Sequence, residues 1–364
     1  MFHKFLSKTS ARHWFTLSLA AFLVLVTLEV LLYWRNVKAV ESGEIVVTQQ
    51  RALILARAGS VAIADFLRSR KGELSLLSQD REIASLSNKE LIRHRFEGIV
   101  DNLVDSPVSA LLRIDKEGKI ALLVNKERIN SGEGGDVSDR DYFIWAQQER
   151  NQGKFYVGQP VFPRGGAHQG EMIFTLATPV FHNDQFDGVI LYSFLISQFV
   201  EKYVLPLRLF EETRAFIVTD EGILIGGRIK ELFGKNLIDY AKEKKWEGWE
   251  SYVSGLEKGL REEGVGEWYF SDPNEQKSAR RVVAFTPIKI DGTKISLFIA
   301  TPLNVAIGPW SNFSQNQNFV LSVFILALLA VIFWIIAFHL AWRDGFMDGL
   351  KRGDQNQNGG SKKN

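Results

Sequence analysis

Hydrophobic positions along this chain fall into three textures, and each predicts a different element. Two predominantly apolar runs, "FTLSLAAFLVLVTLEVLLYW" from Phe15 to Trp34 and "FVLSVFILALLAVIFWIIAFHLAW" from Phe319 to Trp342, reach the ~20 residues that a helix needs to cross a bilayer. Lys4, Lys8 and Arg12 precede the first run and Arg343, Lys351 and Arg352 follow the second, while "TPLNVAIGPWSNFSQNQN" ahead of the second carries no Lys or Arg. Basic flanks stay on the cytoplasmic side. The expected topology is a cytoplasmic N-terminus (1–14), a transmembrane helix (15–34), an extracytoplasmic domain (35–318), a second transmembrane helix (319–342) and a short, polar cytoplasmic tail (343–364) in the cell membrane. A cleaved signal peptide ending at "VKA", Val37 to Ala39, is the alternative for the first run, whose apolar core exceeds the usual length of about 7–15 residues.

The second texture is helical. Residues 40–100 begin with "VVTQQRALILARAGSVAIADFLRSRKGELSLL", in which Val47, Ile54 and Val61 recur every seven residues without a proline. Gln50, Arg57 and Ala64 at the intervening positions favour a long helix laid on a globular body over a tight coiled coil. From Pro107 the texture turns to short alternating runs: "SALLRIDKEG", "KIALLVN", "FYVGQPVF", "GEMIFTLATPVF" and "FDGVILYSFLI". "DKEG" and "FDG" are turn signals. A second set follows, "RAFIVTDEGILIGG", "GEWYFSD", "RRVVAFTPIKIDG" and "TKISLFIATP", in the same order of strand, turn, strand, helical insert and three strands. This weak internal repeat predicts an α+β fold with two similar antiparallel modules in series behind one long N-terminal helix.

Composition removes several options. The absence of cysteine excludes disulfides, thiolate metal sites and thiol nucleophiles, and a net charge of +2 gives no case for nucleic acid. "GGRIKELFGKN" has Ile229 and Asn236 where a phosphate-binding loop needs Gly and Ser or Thr, and His94, His168 and His182 are too scattered for a metal cluster. No catalytic residue, cofactor or metal is expected, although a hydrolytic carboxylate pair is not excluded by sequence.

The remaining candidate chemistry lies in "GGDVSDRDYFIWA", where Arg140 stands between Asp139 and Asp141 just before an aromatic cluster. Spacing alone favours a surface ion pair of Arg140 with Asp136, Asp139 or Asp141, worth ~0–1 kcal/mol, with Tyr142 and Phe143 in ordinary core packing. In "EMIFTLATPVF", Ile173, Thr175 and Ala177 alternate with Met172, Phe174, Leu176 and Thr178, and the pattern leaves open which face is inner. Tyr156 and Ser193 on neighbouring strands share that ambiguity.

Taken together, "SDRDYF", "VGQPV", "ATPVF" followed by "FDGVI", "FIVTDEGILI", "VVAFTPI" and "IATP" resemble, in order and spacing, the double Cache (dCache) extracytoplasmic sensor domains of prokaryotic membrane receptors. The resemblance implies a PAS-like membrane-distal module (101–207) and a membrane-proximal one (208–304). It implies a small-molecule pocket in the distal module lined by the "R-x-Y-F" element, here Arg140, Tyr142 and Phe143, with Tyr156, Thr175 and Ser193 as further ligand-binding candidates. A guanidinium is a fixed, bidentate fork suited to carboxylates. The amino-acid-binding subgroup of the family has a tyrosine where this chain has Gly135, "R-x-W-Y" where it has "R-D-Y-F", and an aspartate for the α-ammonium where it has Ser193. A small organic acid is therefore expected ahead of an amino acid, unless Asp184 or Asp187 enters the pocket. "SGEGGDV" and "PRGGAHQG" are expected as its rims. The resemblance further implies a homodimer with adjacent long helices, and the short tail implies output through a separate signalling protein. A Cache-like scaffold that binds protein is the alternative reading.

Overall fold

The computed structural model describes residues 11–271, 278–290, 293–308, 321–336 and 339. The expected tails lie largely or wholly outside these residues. So do residues 319, 320, 337, 338 and 340–342 of the second expected span and the side chains of 15–19 in the first. Among the described residues no helix is long and apolar enough to cross a membrane. The chain divides into two compact units, one of Met1–Glu44 with Ile307–Asn364 and one of Ile45–Ala306. In the first unit, Leu23, Val24, Leu31 and Trp34, and Phe324, Val331 and Phe333 of the helix at 321–336, are all exposed.

The unit Ile45–Ala306 is α+β. It contains most of a helix, α1 (Ala11–Gln79), that ends against a short turn of helix, α2 (Arg81–Ser85), and a third, α3 (Lys89–Asp101). The helix expected over 40–100 is thus three pieces, for local reasons. Asp80 caps α2 by accepting from the N–H groups of Glu82 and Ile83, Leu86 closes it at φ +51°, and Asn88 caps α3 through the N–H of Leu91. Side-chain caps compete with helix continuation wherever Asp or Asn can satisfy the first free N–H groups.

Two five-stranded antiparallel sheets follow with the same strand order. The first is β2-β1-β5-β4-β3, built from β1 (Val108–Asp115), β2 (Ile120–Asn125), β3 (Tyr156–Val157), β4 (Ile173–His182) and β5 (Gln185–Leu195). The second is β7-β6-β10-β9-β8, from β6 (Arg214–Thr219), β7 (Leu224–Gly226), β8 (Gly264–Phe270), β9 (Ala279–Ile290) and β10 (Thr293–Pro302). Short helices cover one face of each: α4 (Asp141–Ala146) on the first, and α6 (Leu237–Lys244) and α7 (Trp249–Gly259) on the second, with α5 (Ile196–Phe199) between the modules and α8 (Leu303–Ile307) after the last strand. The β4–β5 turn is made by Asn183 and Asp184, both at positive φ, and not by "FDG". Those residues lie inside β5, where Gly188 at φ +125° passes so close to Ile114 that a side chain would collide with its carbonyl.

The core joins α1 to the opposite face of both sheets. Ala52, Ala56, Ile63, Leu67 and Leu74 are fully buried against Phe174, Leu176, Tyr192 and Phe194 of the first sheet and Ile217, Leu297 and Ile299 of the second. Small residues let the helix approach closely, so a Cβ at Gly59 would run into Leu207. The seven-residue stripe Val47, Ile54 and Val61 faces solvent instead. The helix buries its alanine-rich side because only that side fits against strands already carrying large rings.

Candidate ligand-binding site

The sheet face turned away from α1 is a cup. Ala110 and Leu112 of β1, Leu191 and Ser193 of β5, and Ile173 and Thr175 of β4 form its floor. This settles the face of β4: the Ile173–Thr175 side is inner and the Phe174–Leu176 side packs on α1. Counting its part open to solvent, the space within the cup is about 620 Å³.

The cover is built from hydrogen bonds between polar loops. Asp136 accepts from the N–H (3.0 Å) and hydroxyl (2.7 Å) of Ser138 and pairs with Lys119 at 2.8 Å, which together hold its carboxyl well below the usual range, Lys119 first. Asp139 pairs with Arg164 at 2.5 Å, and Arg164 also donates to the Asp136 carbonyl. Asp141 accepts from the N–H of Tyr142 at 2.8 Å and of Gln159 at 2.7 Å. All three acids beside Arg140 are thereby engaged elsewhere. Arg140, half-buried at the start of α4, donates to the Phe162 carbonyl at 3.0 Å and forms no ion pair among the described residues. The surface pairing favoured by spacing is not formed, because Lys119 and Arg164, remote in sequence, take Asp136 and Asp139, and backbone N–H groups take Asp141.

Four of the six expected residues meet in the cavity: Arg140, Tyr142, Thr175 and Ser193. Burial pushes the Tyr142 phenol up, so it stays a neutral hydroxyl. Ser193 accepts from the Ser109 hydroxyl at 2.8 Å across the floor. Thr175 is buried, and its hydroxyl has no hydrogen-bond partner among the described residues. The other two lie outside. Phe143 turns into the core, edge-on to Phe186 with centroids 5.6 Å apart, and Tyr156 stacks on Trp145 at 5.2 Å.

Sequence reasoning missed Ser109 and Asn125 and held Arg164 and His168 only within the expected "PRGGAHQG" rim; all four line the cavity. Arg164 was open to inference, as the cation inside a glycine-rich rim. The two glycine-rich segments do meet at the rim: a Cβ at Gly165 would collide with the backbone of Gly132, so only bare backbone allows their contact. His168 stands there with Nδ1 3.1 Å from Glu171 and Nε2 3.8 Å from Glu127. Among the described residues no Asp or Glu lines the cavity. Asp187 instead pairs with the buried Arg113 at 3.1 Å, and Asp184 forms the β4–β5 turn. Among the described residues no group of three or more His, Asp or Glu is placed to hold a metal ion.

The fold has solved counterparts. The ligand-binding domain of the Pseudomonas fluorescens chemoreceptor CtaA in complex with L-serine is 16% identical over 70% of this chain and 97% of its own, with a TM-score of 0.51. That of the Pseudomonas aeruginosa PAO1 amino acid chemoreceptor PctB in complex with L-Arg is 14% identical over 70% and 95%, at 0.51. The extracellular domain of the putative histidine kinase mmHK1S-Z2 is 16% identical over 69% and 96%, at 0.52. No curated protein matches the sequence. The Cache domain family model matches residues 42–310, most of the chain, and with two modules of one strand order the chain belongs to the Cache family as a double Cache sensor domain.

Proposed function

We propose that this protein is a membrane-anchored extracytoplasmic sensor that binds a small organic carboxylate in the cup of its first module and catalyses no reaction. The observation that carries the ligand class is the cup's polarity: a guanidinium without an ion pair and a buried hydroxyl without a partner, in a lining that holds no acid. A partly desolvated cation favours an anionic guest, and the free hydroxyl supplies a second contact. Arg140 would fork the carboxylate, with Thr175 and Tyr142 fixing its orientation. An amino acid is the second reading, favoured by the ligands bound in the CtaA and PctB domains. Its α-ammonium would need a partner that Ser193 and the Ser109 hydroxyl supply poorly.

Exposed apolar side chains around Leu23–Trp34 and along 321–336 support the anchor, since stretches of this kind in contact with water mark a membrane or protein surface. The signal would leave by strand β5. Its Leu191 and Ser193 face the ligand, while Tyr192 and Phe194 face α1. Shifts of about 1–2 Å at such a helix are a known scale for switching.

Calorimetry of the full chain in lipid nanodiscs against short monocarboxylates, C4-dicarboxylates and L-amino acids tests the reading. One carboxylate is expected to bind, and Arg140→Ala to weaken it about tenfold or more, the scale of one charge-assisted hydrogen bond. Binding of amino acids alone would establish the second reading. Silence across the panel would favour a scaffold.

A further inference from the structure

The second module repeats the cup with a different lining, and backbone hydrogen bonds align the two position by position. In the first, the Asp115 N–H donates to the Lys119 carbonyl (2.9 Å) and the Val137 N–H to the Gly118 carbonyl (2.8 Å); in the second, Thr219 donates to Ile223 (2.9 Å) and Leu237 to Gly222 (2.8 Å). Asp115 therefore corresponds to Thr219 and Val137 to Leu237. It follows that Ala110 corresponds to Arg214, Leu112 to Phe216 and Arg140 to Tyr240. Across the sheet Ser193 pairs with Ala110 and Thr175, as Ala300 pairs with Arg214 and Val283. The positions of the first cup's floor hydroxyls are held here by Ala300 and Val283, which do not line the second cavity, and that of its helix arginine by a tyrosine.

The second cup is nonetheless open, holding about 580 Å³ with its solvent-facing part counted. Its walls are rings: Tyr252 meets Phe270 edge-on at 4.9 Å, Trp246 meets Tyr252 at 5.4 Å, and Phe216 meets Phe270 at 6.0 Å. The Trp246 indole N–H donates to the Tyr269 carbonyl at 3.3 Å, which fixes that wall. Two cations line the edge, half-buried Arg214 and exposed Arg228, and the described lining holds no carboxylate. Arg228 donates to the Glu211 carbonyl at 3.4 Å and forms no ion pair among the described residues.

We infer that this cup is a second ligand site, built for a small aromatic monocarboxylate whose ring lies among Phe216, Tyr252 and Phe270 and whose carboxylate meets Arg228 at the mouth. Offset and edge-to-face ring contacts recognise a flat apolar body. Arg228 supplies the fork for its charge. With a lining that is mostly apolar, a polar body of the same size would find few replacements for its hydrogen bonds to water. The inference does not depend on the ligand assigned to the first cup. A guest here would press on the sheet whose Leu297 packs against α1 at Gly59, so it has its own route to the same helix.

Phenylacetate is the probe, titrated calorimetrically into the full chain in lipid nanodiscs. Saturable binding is expected in the parent protein and in Arg140→Ala, with affinity reduced about tenfold or more in Arg228→Gln and for the neutral analogue phenylacetamide, the scale of a lost charge-assisted contact. Arg228 is exposed, so its replacement leaves the packing intact. A phenylacetate-dependent change in tryptophan fluorescence should disappear in Trp246→Phe, which keeps an aromatic wall. Absence of saturable binding overturns the site, as does binding lost in Arg140→Ala or unaffected by Arg228→Gln. Carboxylate binding at the first cup is measured independently and should be unchanged in Arg228→Gln.

Discussion

Thr175 separates ligand recognition from simple packing at the scale of a single residue. Its hydroxyl is buried without a partner in the unliganded cup, and such a group costs about 1–3 kcal/mol relative to one that is bonded. Thr175→Val keeps the shape and removes the hydroxyl. The unliganded protein should gain up to ~1 kcal/mol, visible as a higher melting temperature, while affinity for the carboxylate falls. A gain in stability with unchanged affinity would make the hydroxyl a packing flaw. Arg113 behaves in the opposite way. It is fully buried in β1, yet it donates to the carbonyls of Ile83, Ala84, Ile114 and Asp187 and pairs with the Asp187 carboxylate. Burial pushes its pKa down to about 10, Asp187 opposing, so it stays charged at neutral pH. Arg113→Leu would strand four carbonyls and one carboxylate. A loss of about 2–3 kcal/mol in denaturant unfolding is expected, below the ~3–5 of a fully buried pair because Asp187 regains water.

Among the elements, β5 touches both the cup and α1 and is also tied to the helix by a side-chain hydrogen bond. Its side chains alternate between them, and the Tyr192 hydroxyl donates to Glu73 of α1 at 2.7 Å. Tyr192→Phe should leave carboxylate affinity within about twofold, since a net hydrogen bond is worth only ~1 kcal/mol and this one lies outside the cup. It should shrink the ligand-induced change in amide exchange along residues 63–79. An undiminished change would place the transmission route elsewhere. The strands themselves were legible in the sequence, because period-two alternation and Asp–Gly turns are local signals: nine of the expected segments map onto β1–β10. What was not legible depends on partners distant in the chain. Arg140 is left without an acid because Arg164, 25 positions from Asp139, takes it. The inner face of β4 follows from where α1 lies, and Phe143 and Tyr156 fall outside the cup because Phe186 and Trp145 hold their rings. The heptad Val47, Ile54 and Val61 was a correct period with the wrong destination, since alanines on the other side of α1 fit the sheets more closely.

That exposed stripe bears on the assembly of the whole molecule. Val47, Ile54 and Val61 are 38%, 65% and 57% exposed and lie two helical turns apart on one line of α1. Arg57, between the last two, is drawn aside to Glu263 at 2.5 Å, an exposed pair that leaves the line apolar. A seven-residue stripe is the spacing at which two helices keep one seam in register. The homodimer that the double Cache resemblance implies would close along this line, with each protomer's cups on the sheet faces turned away from α1. Three side chains per protomer make a small seam, so the association should be reversible and easily broken. Placing a carboxylate on each side of it sets like charges against each other in partly desolvated surroundings. Ile54→Glu should convert the dimer to monomer in native mass spectrometry of the nanodisc-embedded chain, while carboxylate affinity stays within about twofold, as expected for sites without shared partners. Val61→Glu should act alike, whereas Leu76→Glu, also exposed but off the stripe, should leave the dimer intact. A dimer that survives both stripe substitutions would mean that α1 is not its interface. The shift of α1 caused by ligand would then have to be read within one chain.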